Sequence, residues 1–304
     1  MKYTNYHLHT ISGLHVGTGQ GIGVIDMPIA RERASNLPIV PGSGIKGVLR
    51  DECRIEEPNK KTANEEEKEK YTNYLALFGP EAGDDASEFA GALAVGDAHL
   101  LCLPIRSWRG TFAWVTCPMV LHRYKRDLKQ EIDIPDSKEI KDTQALHANT
   151  TSLVEGEGEN TMIYLEDLDL KAQKGAEEWA EHIANQVFQK DDQENNWQQL
   201  FKERFLIVAD NVFDFLSETA TEIRARIKIE ENTRTVKSGA LWYEEYLPAE
   251  TILWGELATD RAKNKSTKTP EELLKLLPAT NTRIQIGGNA TIGAGQVRWI
   301  MGEV

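Results

Sequence analysis

Strict alternation of apolar and basic residues over 223–229 is the clearest hydrophobic pattern in the chain. Successive side chains of a β-strand point to opposite faces, so the pattern predicts a strand with isoleucine and alanine on one face and Arg224, Arg226 and Lys228 on the other, open face. Residues 235–246 predict a second strand and hence a hairpin. Three cations in a row could follow a nucleic-acid backbone, although ordinary solvated sheet faces also carry such rows.

A helical period covers residues 171–190, where Trp179, Ile183 and Val187 recur every four residues in an otherwise polar segment. This spacing predicts a helix whose apolar stripe faces the core. Strands and helices mix without regular alternation, which favours an α+β fold over a doubly wound sheet. Further patterns predict strands over 3–11, 37–40 and 205–209, buried strands within 91–122, a strand, glycine turn and strand over 283–300, and helices over 71–78 and 197–203.

Residues 41–50 combine a glycine-rich loop, the expected start of a helix and two cations. Backbone N–H groups at a helix start have no partners within the helix, so hydrogen bonding and the helix dipole both favour an anion there. We expect Ser43 to cap this helix, Gly44 to offer its amide, and Lys46 and Arg50 to share one face. The segment lacks the spacing of a nucleotide P-loop, and a repeating polyanion such as RNA fits it better.

The net charge of −13 over 304 residues argues against nucleic-acid binding, because phosphate binding usually leaves a basic footprint. The charge is unevenly distributed, however. Residues 99–130 contain six bases and one acid, whereas residues 155–195 contain twelve acids and three bases. The distribution is compatible with one basic face on an acidic molecule, and a scatter of solvated charge is the alternative.

Neither a long apolar run nor an apolar leader stands out in the chain, so we expect a cytoplasmic protein without a membrane partner. The three cysteines, Cys53, Cys102 and Cys117, form no CxxC pair. This pattern disfavours a disulfide framework and a structural zinc site, and indicates reduced, buried thiols.

Seven short motifs follow one another along the chain, at residues 15–19, 26–32, 41–50, 96–98, 116–118, 239–248 and 287–295. In this order they resemble the backbone subunit of the type III-B CRISPR Cmr effector complex, a member of the RAMP superfamily. The resemblance implies a ferredoxin-like (RRM-like) core in a single RAMP domain over residues 1–304. It also implies inserted elements at about 55–90 and 130–200 and a thumb hairpin at about 223–250.

Two departures from the family pattern concern phosphate contacts. Gly44 stands where the family commonly has a second serine, which removes one hydroxyl donor. Asn289 and Ala294 stand where the last glycine loop often carries an acid and a cation. Individual side-chain contacts to phosphate are therefore in question, whereas the backbone amides remain.

The resemblance implies a subunit that binds CRISPR RNA and cleaves complementary, single-stranded target RNA at regular intervals. It further implies partners, namely other Cmr subunits and more copies of the same chain stacked head to tail in a filament. Base pairing with the guide would supply the sequence specificity, as in other RNA-guided effectors. By the same family inference we expect a requirement for Mg²⁺ or another divalent cation, although the sequence contains no evident ligand cluster.

RNA carries its own nucleophile, the 2′-hydroxyl, so a cleaving protein needs to align it, help remove its proton and stabilise the leaving oxygen. The resemblance assigns this role to Asp26, which precedes Pro28 in a loop and could otherwise simply cap a turn. His15, Glu244 and Tyr246 are further catalytic candidates from the same motifs. His15 could act as an acid or base near neutral pH, or it could be structural.

Two alternatives stay open at this point. The chain could be a non-catalytic backbone that coats the guide while another subunit performs the chemistry. It could also be a guide-RNA-processing ribonuclease of the same fold class. The pattern of RNA fragments distinguishes them, because a processing enzyme makes a single cut in repeat RNA.

Overall fold

The computed structural model describes residues 1–19, 21, 24–59, 62–80, 89–129, 131–188, 195–230 and 232–303. The strands are β1 (Lys2–Thr10), β2 (Ile39–Val40), β3 (Leu93–Val95), β4 (Ala98–Arg106), β5 (Phe112–Thr116), β6 (Gln144–His147), β7 (Met162–Leu165), β8 (Leu168–Lys174), β9 (Phe205–Val208), β10 (Glu222–Ile229), β11 (Val236–Tyr246), β12 (Ile252–Thr259), β13 (Thr282–Gln285) and β14 (Gln296–Met301). The helices are α1 (Gly42–Glu52), α2 (Glu65–Phe78), α3 (Pro118–Leu128), α4 (Glu177–Val187), α5 (Asn195–Arg204), α6 (Asp210–Thr219) and α7 (Pro270–Leu274).

One large sheet organises these elements, in the strand order β13-β14-β1-β12-β4-β5-β9-β6-β8-β7. The short strands β2 and β3 pair with β4 and β12 at its side. Neighbours are antiparallel except β5 with β9 and β6 with β8. A mixed sheet with irregularly placed helices confirms the predicted α+β class.

Strand β1 runs through the sheet between β12 and β14, and its side chains are buried from Tyr6 to Thr10. The Tyr6 ring stacks on Trp299 of β14 with 5.0 Å between the ring centroids. A β-carbon at Gly255 of β12 would lie 2.4 Å from the Tyr6 ring. Glycine in β12 therefore lets a large aromatic ring lie across the neighbouring strand.

Strands β10 and β11 form the predicted hairpin, which is a separate two-stranded sheet. Its exposed face differs from the prediction. Ile223 and Ile227 are each 48% exposed, whereas Arg224 and Arg226 are half-buried. The expectation that these two arginines lie on the open face is therefore wrong, because both side chains turn toward groups at the base of the hairpin, as described below.

The predicted helix over 171–190 is wrong in its first part. Residues 168–174 form β8, which pairs with β6 on one side and β7 on the other. Pairing on both sides satisfies the backbone of β8, which a local sequence pattern does not reveal. Helix α4 begins at Glu177 and buries Trp179, Ile183 and Val187 as predicted, while residues 189–190 lie outside the described residues.

Two other predicted helices are present. Helix α5 covers the predicted 197–203. The predicted 71–78 is the second half of α2, which begins earlier because Asn64 and Glu67 form a capping box.

Candidate functional site

Two loops that are far apart in sequence, residues 13–17 and 287–295, pack against each other near the end of β11. The N–H of Gly288 donates to the carbonyl oxygen of His15 at 3.0 Å. A β-carbon at Gly287 would lie 2.2 Å from that oxygen, and Gly287 has a φ of +81°. Glycine is therefore required for this close approach, which brings His15 next to residues from the other end of the chain.

Residues 26–29 lie along β11 and carry Asp26 to it. The N–H of Met27 donates to the carbonyl oxygen of Tyr243 at 3.1 Å, and the N–H of Glu245 donates to the carbonyl oxygen of Met27 at 3.0 Å. The Asp26 side chain adds a further bond, because its Oδ2 accepts the N–H of Tyr243 at 2.8 Å. The Asp26 carboxylate is thus held by the hairpin strand while the residue stays exposed.

Asp26 borders a groove of 470 Å³, lined by Gly21, Asp26, Met27, Gly239, Leu241 and Trp242. A larger groove of 870 Å³ lies elsewhere, lined by Arg106, Ser107, Trp108, Glu155, Tyr164, Glu166, Asp167 and Asp169. Four carboxylates in the larger groove repel a polyanion. The smaller groove, with a single carboxylate among its described lining residues, is the better candidate for RNA.

Glu244 is the centre of a polar cluster beside this groove. Its Oε1 accepts the indole N–H of Trp242 at 2.8 Å, and its Oε2 accepts the Tyr246 hydroxyl at 2.5 Å. Asn289 donates its side-chain amide both to Glu244 Oε2 at 2.9 Å and to the Tyr246 oxygen at 2.7 Å. Arg226 Nε lies 3.6 Å from the same carboxylate oxygen. The cluster reaches the groove through Trp242.

The electrostatics of the cluster keep Glu244 charged. Burial alone raises the pKa of Glu244, but hydrogen bonds from Tyr246 and Trp242, with the charges of Arg226 and His15, outweigh it and lower the pKa. Burial, followed by the hydrogen bond to Glu244, raises the pKa of Tyr246. Near neutral pH Glu244 is therefore an ionised acceptor and Tyr246 a protonated donor.

His15 is buried and has one fixed tautomer in its neutral form. Its Nδ1 lies 2.7 Å from the carbonyl oxygen of Glu245. A carbonyl only accepts hydrogen bonds, so Nδ1 carries the proton and Nε2 is left as the acceptor. The ring lies 5.3 Å from the Tyr246 ring, centroid to centroid. Glu245 itself points the opposite way, as expected for a strand, and pairs with Arg31 at 2.6 Å.

The predicted hairpin cations divide into two kinds. The Arg224 guanidinium lies over the Tyr246 ring at 4.3 Å from its centroid, and Arg226 faces Glu244. Lys228 is exposed further along β10. Two of the three cations therefore pack onto the polar cluster.

The glycine-rich segment at 41–50 forms α1, with Pro41 as its N-cap and without a side-chain cap. The prediction that Ser43 caps the helix is wrong, because the helix begins at Gly42 and Ser43 lies within its first turn. Two amides at this end already have partners, since Gly42 N–H donates to Asp97 Oδ1 at 2.7 Å and Gly44 N–H to the Pro41 carbonyl at 2.9 Å. Ser43 and Gly44 are exposed.

Lys46 and Arg50 both donate to backbone carbonyls in this structure. Lys46 Nζ donates to Leu93 at 2.7 Å, and Arg50 Nη2 donates to Pro80 at 2.9 Å. Burial, together with the neighbouring Arg50 charge, lowers the pKa of Lys46. These bonds fix both side chains, and an ammonium with three N–H groups and a guanidinium with five retain donors for an anion.

The structure thus brings Asp26, His15, Glu244 and Tyr246 to one region. The candidate residues of α1 instead contact other parts of the chain. Sequence reasoning noted Asn289 only as a departure from the family pattern. The sequence offers one indication about Asn289, which is its position among the glycines of 287–295. That position indicates an unusual backbone conformation but does not predict a side-chain contact. Its φ of 64° and ψ of 27° are left-handed.

Among the residues that the structure describes, no three His, Cys, Asp or Glu side chains come together to hold a metal ion. The described side chains around Asp26 do not by themselves fit a divalent cation. Among the described helices, none has the length and apolar character needed to cross a membrane.

Comparisons with known proteins show the family to which the chain belongs. A model of the RAMP superfamily matches residues 7–298. The CRISPR system Cmr endoribonuclease Cmr4 of Pyrococcus furiosus is 36% identical over 311 residues, which cover 100% of this chain and 97% of that protein. The crystal structure of oligomeric Cmr4 from Pyrococcus furiosus superposes with a TM-score of 0.69 at 29% identity, covering 100% of this chain and 99% of that one.

A more distant structure shares the fold. It is a chain of the type III-B Cmr-beta complex bound to cognate target RNA, solved by cryo-EM. The TM-score is 0.70 at 18% identity, with coverage of 99% of this chain and 97% of that one.

Proposed function

The chain belongs to the RAMP superfamily and to its Cmr4 family, and from this premise we propose that it is an RNA-guided endoribonuclease and the repeating backbone subunit of a CRISPR Cmr complex. The observation that supports cleavage is an exposed carboxylate, Asp26, held by the backbone of the hairpin strand at the edge of a groove. Its partners are CRISPR RNA, target RNA, other Cmr subunits and further copies of itself. We propose the cytoplasm as its location, because these partners are RNA and RNA-binding proteins.

Asp26 acts on the 2′-hydroxyl of the target RNA. Because Oδ2 is occupied by the N–H of Tyr243, Oδ1 is the oxygen that orients the hydroxyl and accepts its proton. The fixed carboxylate restricts the nucleophile to one direction of attack. This orientation lowers the entropic part of the activation barrier, which an uncatalysed reaction must pay in full.

Glu244, Tyr246 and His15 support this step in different ways. Glu244 is a poor base, since its oxygens accept three hydrogen bonds and its pKa is lowered. We assign it and Tyr246 to shaping the groove through Trp242. His15 has its Nε2 as the acceptor in the neutral ring, and we assign it to orienting the groups around Tyr246.

The experiment for the proposed function is Asp26→Asn in a complex assembled with guide RNA. Asparagine keeps the size of the side chain but cannot accept the proton, so we expect cleavage to fall by about 10²- to 10⁴-fold while guide binding and assembly persist. Asp136→Asn is the matched control, because Asp136 is also an exposed loop aspartate that accepts a backbone N–H, from Lys138 at 2.9 Å.

Mapping of the RNA fragments from the same experiment separates the alternatives. Regularly spaced cuts in target RNA that vanish with Asp26→Asn support the proposal. Regularly spaced cuts that persist in the variant would remove Asp26 from the chemistry and favour a non-catalytic backbone. A single cut in precursor repeat RNA would indicate a guide-processing enzyme.

A requirement for Mg²⁺ stays a prediction from the family. RNA phosphates supply oxygen ligands that the protein alone lacks, so the ion would belong to the RNA-bound state. Cleavage measured with Mg²⁺ and with EDTA tests it.

A further inference from the structure

Asn289 closes a ring of hydrogen bonds with two residues of β11. Its Nδ2 donates to Glu244 Oε2 at 2.9 Å and to the Tyr246 oxygen at 2.7 Å, while the Tyr246 hydroxyl donates to Glu244 Oε2 at 2.5 Å. An amide nitrogen has two N–H groups, and a phenol oxygen both donates and accepts. Each hydrogen of the ring therefore has one acceptor, and the ring closes only with an ionised glutamate.

The backbone holds Asn289 in place for these bonds. The residue is left-handed, with φ 64° and ψ 27°, a conformation that asparagine tolerates better than most residues. The preceding Gly288 donates its N–H to the His15 carbonyl at 3.0 Å. The loop is thus anchored on one side, and the side chain reaches β11 from the other.

The ring connects to the Asp26 groove through one further bond. Trp242 donates its indole N–H to Glu244 Oε1 at 2.8 Å, and Trp242 lines the groove with Asp26. The next residue, Tyr243, donates its backbone N–H to the Asp26 carboxylate. The orientation of Glu244 therefore sets the position of Trp242 on the groove wall.

We propose that Asn289 is a positioning residue, which holds the Glu244–Tyr246 pair with its amide and thereby fixes Trp242 beside Asp26. The cleavage test of this inference rests on the proposed function. The NMR test of the Trp242 position rests on the structure alone. A carboxylate at position 289 would lie beside the Glu244 carboxylate at the Tyr246 hydroxyl. Two neighbouring carboxylates repel each other unless they share a proton.

Asn289→Asp tests the proposal through the pH dependence of cleavage. At about pH 8 we expect cleavage about 10- to 100-fold below wild type, because ring geometry is lost. As the pH falls toward about 5.5 the added carboxyl takes up a proton and restores a donor, so the ratio of variant to wild-type rate rises. The charged or titratable groups that face the ring are Arg224 and Arg226 of β10, His15, Glu244 and Tyr246. These groups are present in both proteins, so the ratio of variant to wild-type rate removes the pH effects that both share.

Asn36→Asp is the matched control. Asn36 is also left-handed, with a φ of 57°, and its amide donates to a carboxylate, Glu218 Oε1, at 2.7 Å. We expect its rate ratio to wild type to stay flat with pH. Asn289→Ala, which cannot regain a donor, should lose activity at every pH.

A readout independent of cleavage is the indole N–H resonance of Trp242 in the ¹⁵N-labelled full chain, assigned with Trp242→Phe. In Asn289→Asp we expect this resonance alone among the tryptophans to shift and to return toward wild type at low pH. An unmoved Trp242 resonance, or a rate ratio that is flat with pH, would overturn the proposal. Absence of cleavage by the wild-type complex would instead refute the proposed function and leave the resonance test valid.

Discussion

At the scale of single residues, burial decides the charge of the histidines in the core. His7 of β1 is 1% exposed, and its Nε2 lies 2.8 Å from the Tyr124 hydroxyl of α3. Burial, with a smaller contribution from nearby His182, lowers the pKa of His7 to about 3. The folded protein therefore keeps His7 neutral at a pH where the unfolded chain would already be protonated.

The free energy of unfolding should consequently fall as the pH drops below about 6.5, the ordinary pKa of histidine. In the range from about 6.5 down to about 3 the unfolded state binds a proton that the folded state does not, which costs up to about 1.4 kcal/mol per pH unit. His7→Gln removes this proton, so we expect a shallower pH dependence. Urea unfolding at several pH values measures the slope, whatever the absolute stability of the variant.

The exposed His122 of α3 provides the control for this prediction. His122→Gln should retain the wild-type slope. Equal slopes for His7→Gln and wild type would show that His7 does not account for the acid sensitivity.

At the scale of elements, the start of α1 differs from the anion site that the sequence predicts. Asp97 accepts the N–H of Gly42, so the helix start is already matched with a carboxylate. The remaining attraction for phosphate lies in Lys46 and Arg50, whose side chains are held by backbone carbonyls. Carbonyl partners orient a cation without neutralising its charge, and both residues stay candidates for binding the guide.

Replacement of Lys46 and Arg50 together by glutamine should weaken binding of single-stranded guide RNA. Each lost phosphate contact is expected to reduce the slope of log affinity against log salt by about 1. Filter binding or fluorescence anisotropy over a salt series measures this effect.

Lys68→Gln with Lys70→Gln on α2 is the matched control, because both lysines pair with glutamates of their own helix. The control should bind like wild type. Unchanged affinity of the Lys46 and Arg50 variant in dilute salt would exclude α1 from the RNA path.

The elements that could be predicted from sequence are those whose pattern is local. The alternation in β10 and the apolar stripe of α4 carry their own period, so both appear where expected. Residues 171–174 of β8 were predicted as helix, because the parallel pairing of β8 with β6 joins segments that are far apart in sequence. The exposure of the isoleucines in β10 was equally hidden, since it depends on which face of the hairpin meets the polar cluster.

The candidate site shows the same division. Asp26, His15, Glu244 and Tyr246 were identified from motifs, and the structure places them around the base of one hairpin. Asn289 reaches Glu244 only because the loop at 287–295 folds onto the chain near His15. No spacing rule connects positions 244 and 289, so this contact required the structure.

At the scale of the whole molecule, a net charge of −13 confines where RNA can lie. The 870 Å³ groove is lined by four carboxylates, whereas the hairpin base carries Arg224 and Arg226, each beside one glutamate. We therefore expect local cations, rather than the overall charge, to set the path of a polyanion. In a head-to-tail filament each copy would present one such hairpin, so cuts would repeat at the spacing of the copies.

The most direct test of the central claim is a structure of the Asp26→Asn complex with guide and uncleaved target RNA. We predict that the side chain at position 26 lies within about 3.2 Å of a target 2′-oxygen at every hairpin where a cut occurs in the wild-type complex. A target backbone that passes the hairpins with its 2′-oxygens beyond reach of position 26, and near another side chain, would contradict the account.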